Sequence, residues 1–181
     1  MLAGILIALS ATIYLSIGGA VGAILFSIGL LTILRFECKL FTGKAGLLVT
    51  DEISVIELTK IYLGNFLGVA AWGTLLRLSE IPIDASNIVI KRLEATLPQT
   101  LFLGICCGIL MYIAVNLYKT FPIGTIMAVT AFIMLGAHHS IADMFYFVIS
   151  VGKFSVGKMF SSLIVTTIGN IIGCNLIPYL L

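Results

Sequence analysis

Apolar residues form long runs along this chain, and short polar or glycine-rich breaks separate them. The runs cover residues 1–17, 20–49, 55–78, 97–118, 121–150 and 156–181. A helix needs about 20 largely apolar residues to cross the hydrocarbon core of a bilayer. The pattern therefore predicts an all-α, multi-pass integral membrane protein with six transmembrane helices.

The longest polar stretch, at residues 79–96, divides the chain into two groups of three segments. Because three crossings reverse the direction of the chain, the second group of segments would be inverted relative to the first. We therefore expect one transmembrane domain over residues 1–181. It would contain two inverted repeats, 1–78 and 97–181, joined by this linker. "LGNFLG" at 63–68 recurs as "IGNIIG" at 168–173, which predicts that Asn65 and Asn170 are equivalent. Taken alone, each glycine pair is typical of ordinary membrane-helix packing.

Polar residues interrupt the second and fifth segments at corresponding places. The second contains "RFECKLFTGKAG" at 35–46, and the fifth contains "GAHHSIADM" at 136–144. Interrupted membrane helices are tolerated where their free backbone groups line a cavity, and they mark substrate sites in transporters. Helix N-termini at such breaks attract negative charge, which favours an anionic substrate.

Composition narrows the possible partners. Only 10% of the residues are charged and the formal net charge is +2, with the basic residues scattered along the chain. We expect contact with membrane lipid, no nucleic-acid partner and no cofactor.

Five motifs in chain order resemble those of the formate/nitrite transporter family of pentameric anion channels. The motifs are "KLFTGK" in the second segment, "YLGNFLG" in the third, "LGICCG" in the fourth, "HHSIADM" in the fifth and "IGNIIG" in the sixth. The resemblance implies an aquaporin-like protomer, a homopentamer and a prokaryotic plasma (inner) membrane location.

The resemblance also implies roles for particular residues. His139 matches the central pore histidine, and Thr42 matches the threonine opposite it. Arg92, or its neighbour Lys91, matches a vestibule lysine. The two apolar constrictions fall on Phe26 and Leu30 on one side, and on Leu40, Phe41 and Phe132 on the other.

Five positions depart from the family motifs. Lys39 replaces an acid, Lys44 follows the Thr-Gly, His138 replaces a glutamate, and Asp143 and Gly108 replace asparagines. Several of these changes add positive charge close to the predicted pore, which indicates altered substrate choice or gating.

The polar residues also have structural interpretations. On a regular helix His138 would lie about 100° round from His139 and Asp143 one turn beyond it. His138 would then either line the pore or pack between helices, and Asp143 would either orient the His139 ring or face a subunit contact. Lys39 and Lys44 would either contact substrate or pair with Glu37 and Asp143.

The predicted function is passage of small monovalent anions of weak acids, such as formate, nitrite or hydrosulfide. Moving a bare anion into a dry constriction costs on the order of 20 kcal/mol. Neutralising an acid of pKa near 4 at pH 7 costs only about 4 kcal/mol. We therefore expect the neutral acid to cross, with protons as coupled partners.

Two other functions fit parts of the sequence. A channel for neutral solutes such as urea or ammonia would suit the apolar constrictions, although it would not use the basic substitutions. A membrane enzyme or zinc site would need more ligands than His138, His139 and Asp143 supply. We therefore expect a protein that is not an enzyme and binds no metal.

Overall fold

The computed structural model describes residues 1–181 and is built entirely from helices. They are α1 (Leu2–Ile17), α2 (Gly19–Arg35), α3 (Phe41–Ala45), α4 (Val55–Leu78), α5 (Ser86–Glu94), α6 (Leu97–Leu117), α7 (Pro122–Met134), α8 (Ser140–Ile149) and α9 (Val156–Leu180). The prediction of an all-α fold is confirmed.

Three helices, α4, α6 and α9, are long and apolar enough to cross a membrane, and α1, α2, α7 and α8 are apolar but shorter. The second predicted segment forms α2 and α3, and the fifth forms α7 and α8. The stretch 79–96, predicted only as a linker, contains α5. The two segments that contain polar residues near their centres are thus each divided into two helices, and the predicted linker contains a helix that was not expected.

Polar side chains set the starts of the three long helices. Ser54 and Ser155 accept hydrogen bonds from backbone N–H groups in the first turns of α4 and α9. Thr96 and Gln99 form a reciprocal capping box at the start of α6. Such caps satisfy N–H groups that have no partner within the helix, so these three boundaries follow directly from the sequence.

Small residues allow two pairs of helices to pack with their backbones in contact. A Cβ atom added at Gly68 of α4 would lie 2.1 Å from the carbonyl oxygen of Met1, the residue before α1, and one added at Gly173 of α9 would lie 2.1 Å from the Ile105 oxygen of α6. Both glycines come from the repeated motifs. Only glycine permits so close an approach.

The connections gather at two ends of the helix bundle. Segments 36–54 and 118–121 lie at one end, which we call the Lys39 end. Segments 79–96 and 150–155 lie at the other, the Lys91 end, where Lys153 forms an ion pair with Asp84 at 2.9 Å. The ends of α2 and α7 lead into two short non-helical connections, 36–40 and 135–139, whose last residues, Leu40 and His139, are buried.

Candidate functional site

A buried asparagine holds the connection between α2 and α3. The Phe41 N–H donates to Asn65 Oδ1 at 2.9 Å, and Asn65 Nδ2 donates to the Lys39 carbonyl at 3.0 Å. The two bonds bracket Leu40, the residue immediately before α3. They satisfy backbone groups that would otherwise be costly to bury.

Asn170 of α9 holds the connection between α7 and α8 in the same way. The Ser140 N–H donates to Asn170 Oδ1 at 2.9 Å, and Asn170 Nδ2 donates to the His138 carbonyl at 2.8 Å. These bonds bracket His139, the residue immediately before α8. Leu40 and His139 therefore occupy matching positions, each held through the backbone of its two neighbours.

The His139 side chain contacts both α8 and α3. Its Nδ1 accepts a hydrogen bond from the Ala142 N–H at 3.1 Å, and its Nε2 lies 3.0 Å from Thr42 Oγ1. An Nδ1 that accepts from a backbone N–H carries no proton itself, so a neutral ring carries its proton on Nε2 and donates it to Thr42. The hydroxyl hydrogen of Thr42 is then available to another acceptor.

Apolar side chains flank this contact on both sides. The Phe132 ring stacks on His139 with centroids 5.7 Å apart and meets Phe26 edge-on at 5.9 Å. Leu30 and Leu40 share the lining of one cavity. Phe26 thus lies against Phe132, whereas Leu30 and Leu40 line the same cavity, an arrangement that differs from the grouping inferred from sequence. Phe41 instead packs on Tyr62, at 4.8 Å between ring centroids.

A cavity of about 260 Å³ at the Lys91 end has His139 and Phe132 among its lining residues. Tyr14, Tyr146, Lys91, Arg92 and Asp143 also line it. The cavity extends from Lys91, a cationic side chain that forms no ion pair, to His139.

All three guanidinium nitrogens of Arg92 donate hydrogen bonds at this cavity. Its Nε donates to Asp143 Oδ1 at 3.0 Å, and its two terminal nitrogens donate to the carbonyls of Gly136 at 2.8 Å and Ala137 at 3.0 Å. These carbonyls lie just beyond the C-terminal end of α7, where a cation is favourable. Arg92 therefore ties α5 to the connection before His139, and Asp143 binds Arg92 rather than the His139 ring.

A second cavity, of about 430 Å³, lies at the Lys39 end. Lys39, Lys44 and Lys119 line it together with Glu37 and Tyr118. The Lys39 side chain pairs with Glu57 of α4 at 2.7 Å. The expectation that Lys39 pairs with Glu37 or Asp143 is therefore wrong, as is a pair between Lys44 and Asp143, which lies at the opposite cavity.

His138 lies away from Thr42 and from both cavities. Its Nδ1 is 3.5 Å from Thr166 Oγ1 of α9, and its N–H donates to the Leu103 carbonyl at 3.2 Å. Neither histidine is inside a helix, so the expected 100° helical rotation between them does not apply. No three His, Cys, Asp or Glu side chains come close enough to hold a metal ion.

Two buried residues of the site were missed from the sequence. Cys174 Sγ donates to the Thr42 carbonyl at 3.2 Å, and Asn175 donates to the Ala45 carbonyl at 2.8 Å. Both residues hold the segment that carries Thr42. The asparagine five residues after Asn170, within the same apolar segment, was the available signal, since polar groups at bilayer depth need partners.

Comparison with known proteins bears on this arrangement. The family described as "Formate/nitrite transporter" matches residues 1–181. The chain belongs to this family. The formate/nitrite transporter family comprises transporters rather than enzymes, and the resemblance seen in the motifs is confirmed.

Solved structures share the fold of this formate/nitrite transporter family member. A "Pentameric formate channel with formate bound" is 22% identical, with a TM-score of 0.80, over 98% of this chain and 91% of that one. An "FNT family ion channel" is also 22% identical, with a TM-score of 0.81, over 97% of this chain and 84% of that one. No curated protein sequence matches significantly.

Proposed function

We propose that this protein is a membrane channel for small monovalent anions of weak acids, which cross its narrowest part as neutral acids and are thereby coupled to protons. The observation that carries the proposal is the hydrogen-bonded pair of His139 and Thr42, buried among apolar side chains between two lysine-bearing cavities. Membership of the formate/nitrite transporter family supports the substrate class.

We propose a six-crossing architecture with interrupted second and fifth crossings. At about 1.5 Å per residue, α7 and α8 together have about the length of one membrane helix. The matched asparagine brackets around Leu40 and His139 support two inverted repeats, 1–78 and 97–181, joined by 79–96. The glycine contacts of α1 with α4 and of α6 with α9 support the same symmetry.

Basic side chains attract anions to each mouth. Lys91 serves the cavity at the Lys91 end, because Arg92 is neutralised by Asp143 and fixed by two carbonyls. Lys44 and Lys119 serve the cavity at the Lys39 end, where Lys39 is itself paired. Basic side chains outnumber acidic ones in both cavities, and an excess of positive charge raises the local concentration of anions.

The barrier between the mouths consists of two apolar pairs, Phe26 with Phe132 and Leu30 with Leu40. A bare anion there would cost on the order of 20 kcal/mol, compared with about 4 kcal/mol to protonate a weak acid at neutral pH. The neutral acid is therefore the form that passes. A proton taken up at one mouth is released at the other.

His139 and Thr42 provide the polar contact within this barrier. The imidazole donates to Thr42, which leaves the threonine hydroxyl free to donate to a carbonyl or nitrosyl oxygen of the substrate. An imidazole can also exchange a proton with a small acid. His138 packs against α9, and its contribution is to fix the connection.

The proposed assembly is a homopentamer in a prokaryotic inner membrane, with one conduit in each protomer. The likeness to a pentameric channel supports the assembly. The many exposed apolar side chains of α4 and α9 are suited to contact with lipid or a neighbouring subunit.

Flux assays with purified protein in liposomes test the function. Formate, nitrite, acetate, lactate and hydrosulfide are compared across a pH series, with His139→Asn and Lys39→Glu as variants. We expect flux to follow the neutral fraction and to fall at least tenfold in His139→Asn. Rates that follow total anion would refute neutral-acid passage, and urea uptake without acid uptake would favour the neutral-solute alternative.

A further inference from the structure

The carboxylate of Asp143 is only half satisfied. Oδ1 accepts from Arg92, whereas Oδ2 is buried and has no hydrogen-bond partner. The side chain is 1% exposed and that of Arg92 is 11% exposed. An unpaired buried oxygen of this kind is costly unless something else donates to it.

Asp143 lines the cavity at the Lys91 end together with His139. A solute that travels from Lys91 to His139 therefore passes this residue. An ionised carboxylate only accepts hydrogen bonds, and it repels an anion. It favours a solute that carries an O–H, N–H or S–H group.

Resting on the function proposed above, we propose that Asp143 Oδ2 is an acceptor site that selects the protonated form of the substrate before it reaches His139. The neutral acid donates its hydrogen to Oδ2, and the anion is held back towards Lys91. Asparagine, the residue that the family motif has here, would supply an N–H donor to an anion instead.

The other ionisable groups around Asp143 come from five helices and one connection. They are Arg92 and Lys91 of α5, Tyr14 of α1, Tyr62 of α4, Cys107 of α6, Tyr146 of α8, and His139 in the connection before α8. Arg92 alone forms an ion pair with the carboxylate. Asp143 is the acidic member of this group, so its replacement removes the only carboxylate facing the cavity.

The test compares wild-type protein with Asp143→Asn in liposomes at fixed total formate between pH 5 and pH 7.5. Above the pKa of the acid its neutral fraction falls about tenfold per pH unit, and wild-type flux should fall with it. We expect Asp143→Asn to show a shallower slope and at least threefold higher flux at pH 7.5. It should also admit nitrate, an anion that has no neutral form at these pH values, which the wild type excludes.

Matched variants separate the carboxylate from other effects. Asp84→Asn breaks an exposed ion pair at the same end and should retain the wild-type slope. Arg92→Gln/Asp143→Asn removes both charges and should retain the shallow slope; a return to the wild-type slope would mean that the unmasked Arg92 charge was responsible, and would overturn the assignment. If Asp143→Asn does not fold, Asp143→Ser takes its place with the same expectations.

Two failures are distinguishable. If the wild-type protein carries none of the small acids, the proposed function is wrong. If it carries them with a steep pH profile that Asp143→Asn and Asp143→Ser leave unchanged, the function stands and the role given to Asp143 is wrong.

Discussion

Replacing Asn170 with leucine should disconnect the segment that carries His139 from α9. The asparagine is fully buried and forms hydrogen bonds with the Ser140 N–H and the His138 carbonyl of that segment. Leucine has a similar size but neither donates nor accepts. Both backbone groups would then be buried without this partner.

The loss of stability caused by Asn170→Leu can be estimated from the hydrogen bonds that are lost. An unsatisfied buried polar group costs about 1–3 kcal/mol, whereas hydrogen bonds between membrane helices average about 0.6 kcal/mol. Two lost bonds therefore give about 1–6 kcal/mol, and we expect a loss of about 2 kcal/mol or more. The third partner, the Gly104 carbonyl, belongs to the ladder of α6 and adds little.

Unfolding of the purified protein in mixed micelles, titrated with a denaturing detergent, measures the loss. Asn65→Leu removes the equivalent bracket, where the Lys39 bond is only partly buried, and should cost less than Asn170→Leu. Asn116→Leu is the matched control, because this exposed asparagine bonds only within its own helix. If the Asn170→Leu protein were as stable as the Asn116→Leu protein and its flux were unchanged, the role of Asn170 in holding the backbone around His139 would be refuted.

Three further predictions follow from the packing and the surface charges. Gly173→Ala should destabilise the protein by about 2 kcal/mol or more, because the new Cβ meets the Ile105 carbonyl at 2.1 Å and overpacking costs about 1–3 kcal/mol; Gly157→Ala, whose nearest contact is at 3.9 Å, is the control, and equal unfolding midpoints for the two would contradict the reasoning. Glu57→Gln should leave the stability nearly unchanged, because its pair with Lys39 is exposed; flux at the Lys39 end should rise at low salt, and an unchanged rate would show that Lys39 does not face the substrate. The hydrogen bond from Lys153 lowers the pKa of Asp84, so the ion pair between segments 79–86 and 150–155 is present at neutral pH and is lost as the pH falls through that lowered pKa; the hydrogen-exchange protection factors of residues 150–155, corrected for the intrinsic exchange rate at each pH, should fall there, and Asp84→Asn should lack this acid step.

Local patterns in the sequence predicted the elements whose signals are local. The apolar runs 55–78, 97–118 and 156–181 predicted α4, α6 and α9, and the caps at Ser54, Thr96 and Ser155 explain why these helices begin where they do. The motifs predicted the family, which is confirmed. Their pairing of Asn65 with Asn170 remains a prediction, supported by the two matched brackets.

Features that depend on contacts between distant segments could not be predicted from the sequence. Arg92 meets Asp143 across 51 positions, and no periodicity reveals such a pair. Whether His138 lines the pore or packs between helices could not be decided from the sequence, because the expected rotation between the two histidines was that of a regular helix, whereas the chain is extended at His139. The α5 helix was missed because its polar residues resemble a linker.

The hydrogen bonds of Asn65 and Asn170 hold the backbone on either side of Leu40 and His139 and do not involve either side chain. A different residue placed at 40 or 139 would therefore keep the same central location, provided that at 139 it also offers an acceptor to the Ala142 N–H at the start of α8. A histidine at position 40, or a carboxylate at position 139, would give channels of the same frame that differ in the proton-exchanging group at their centre.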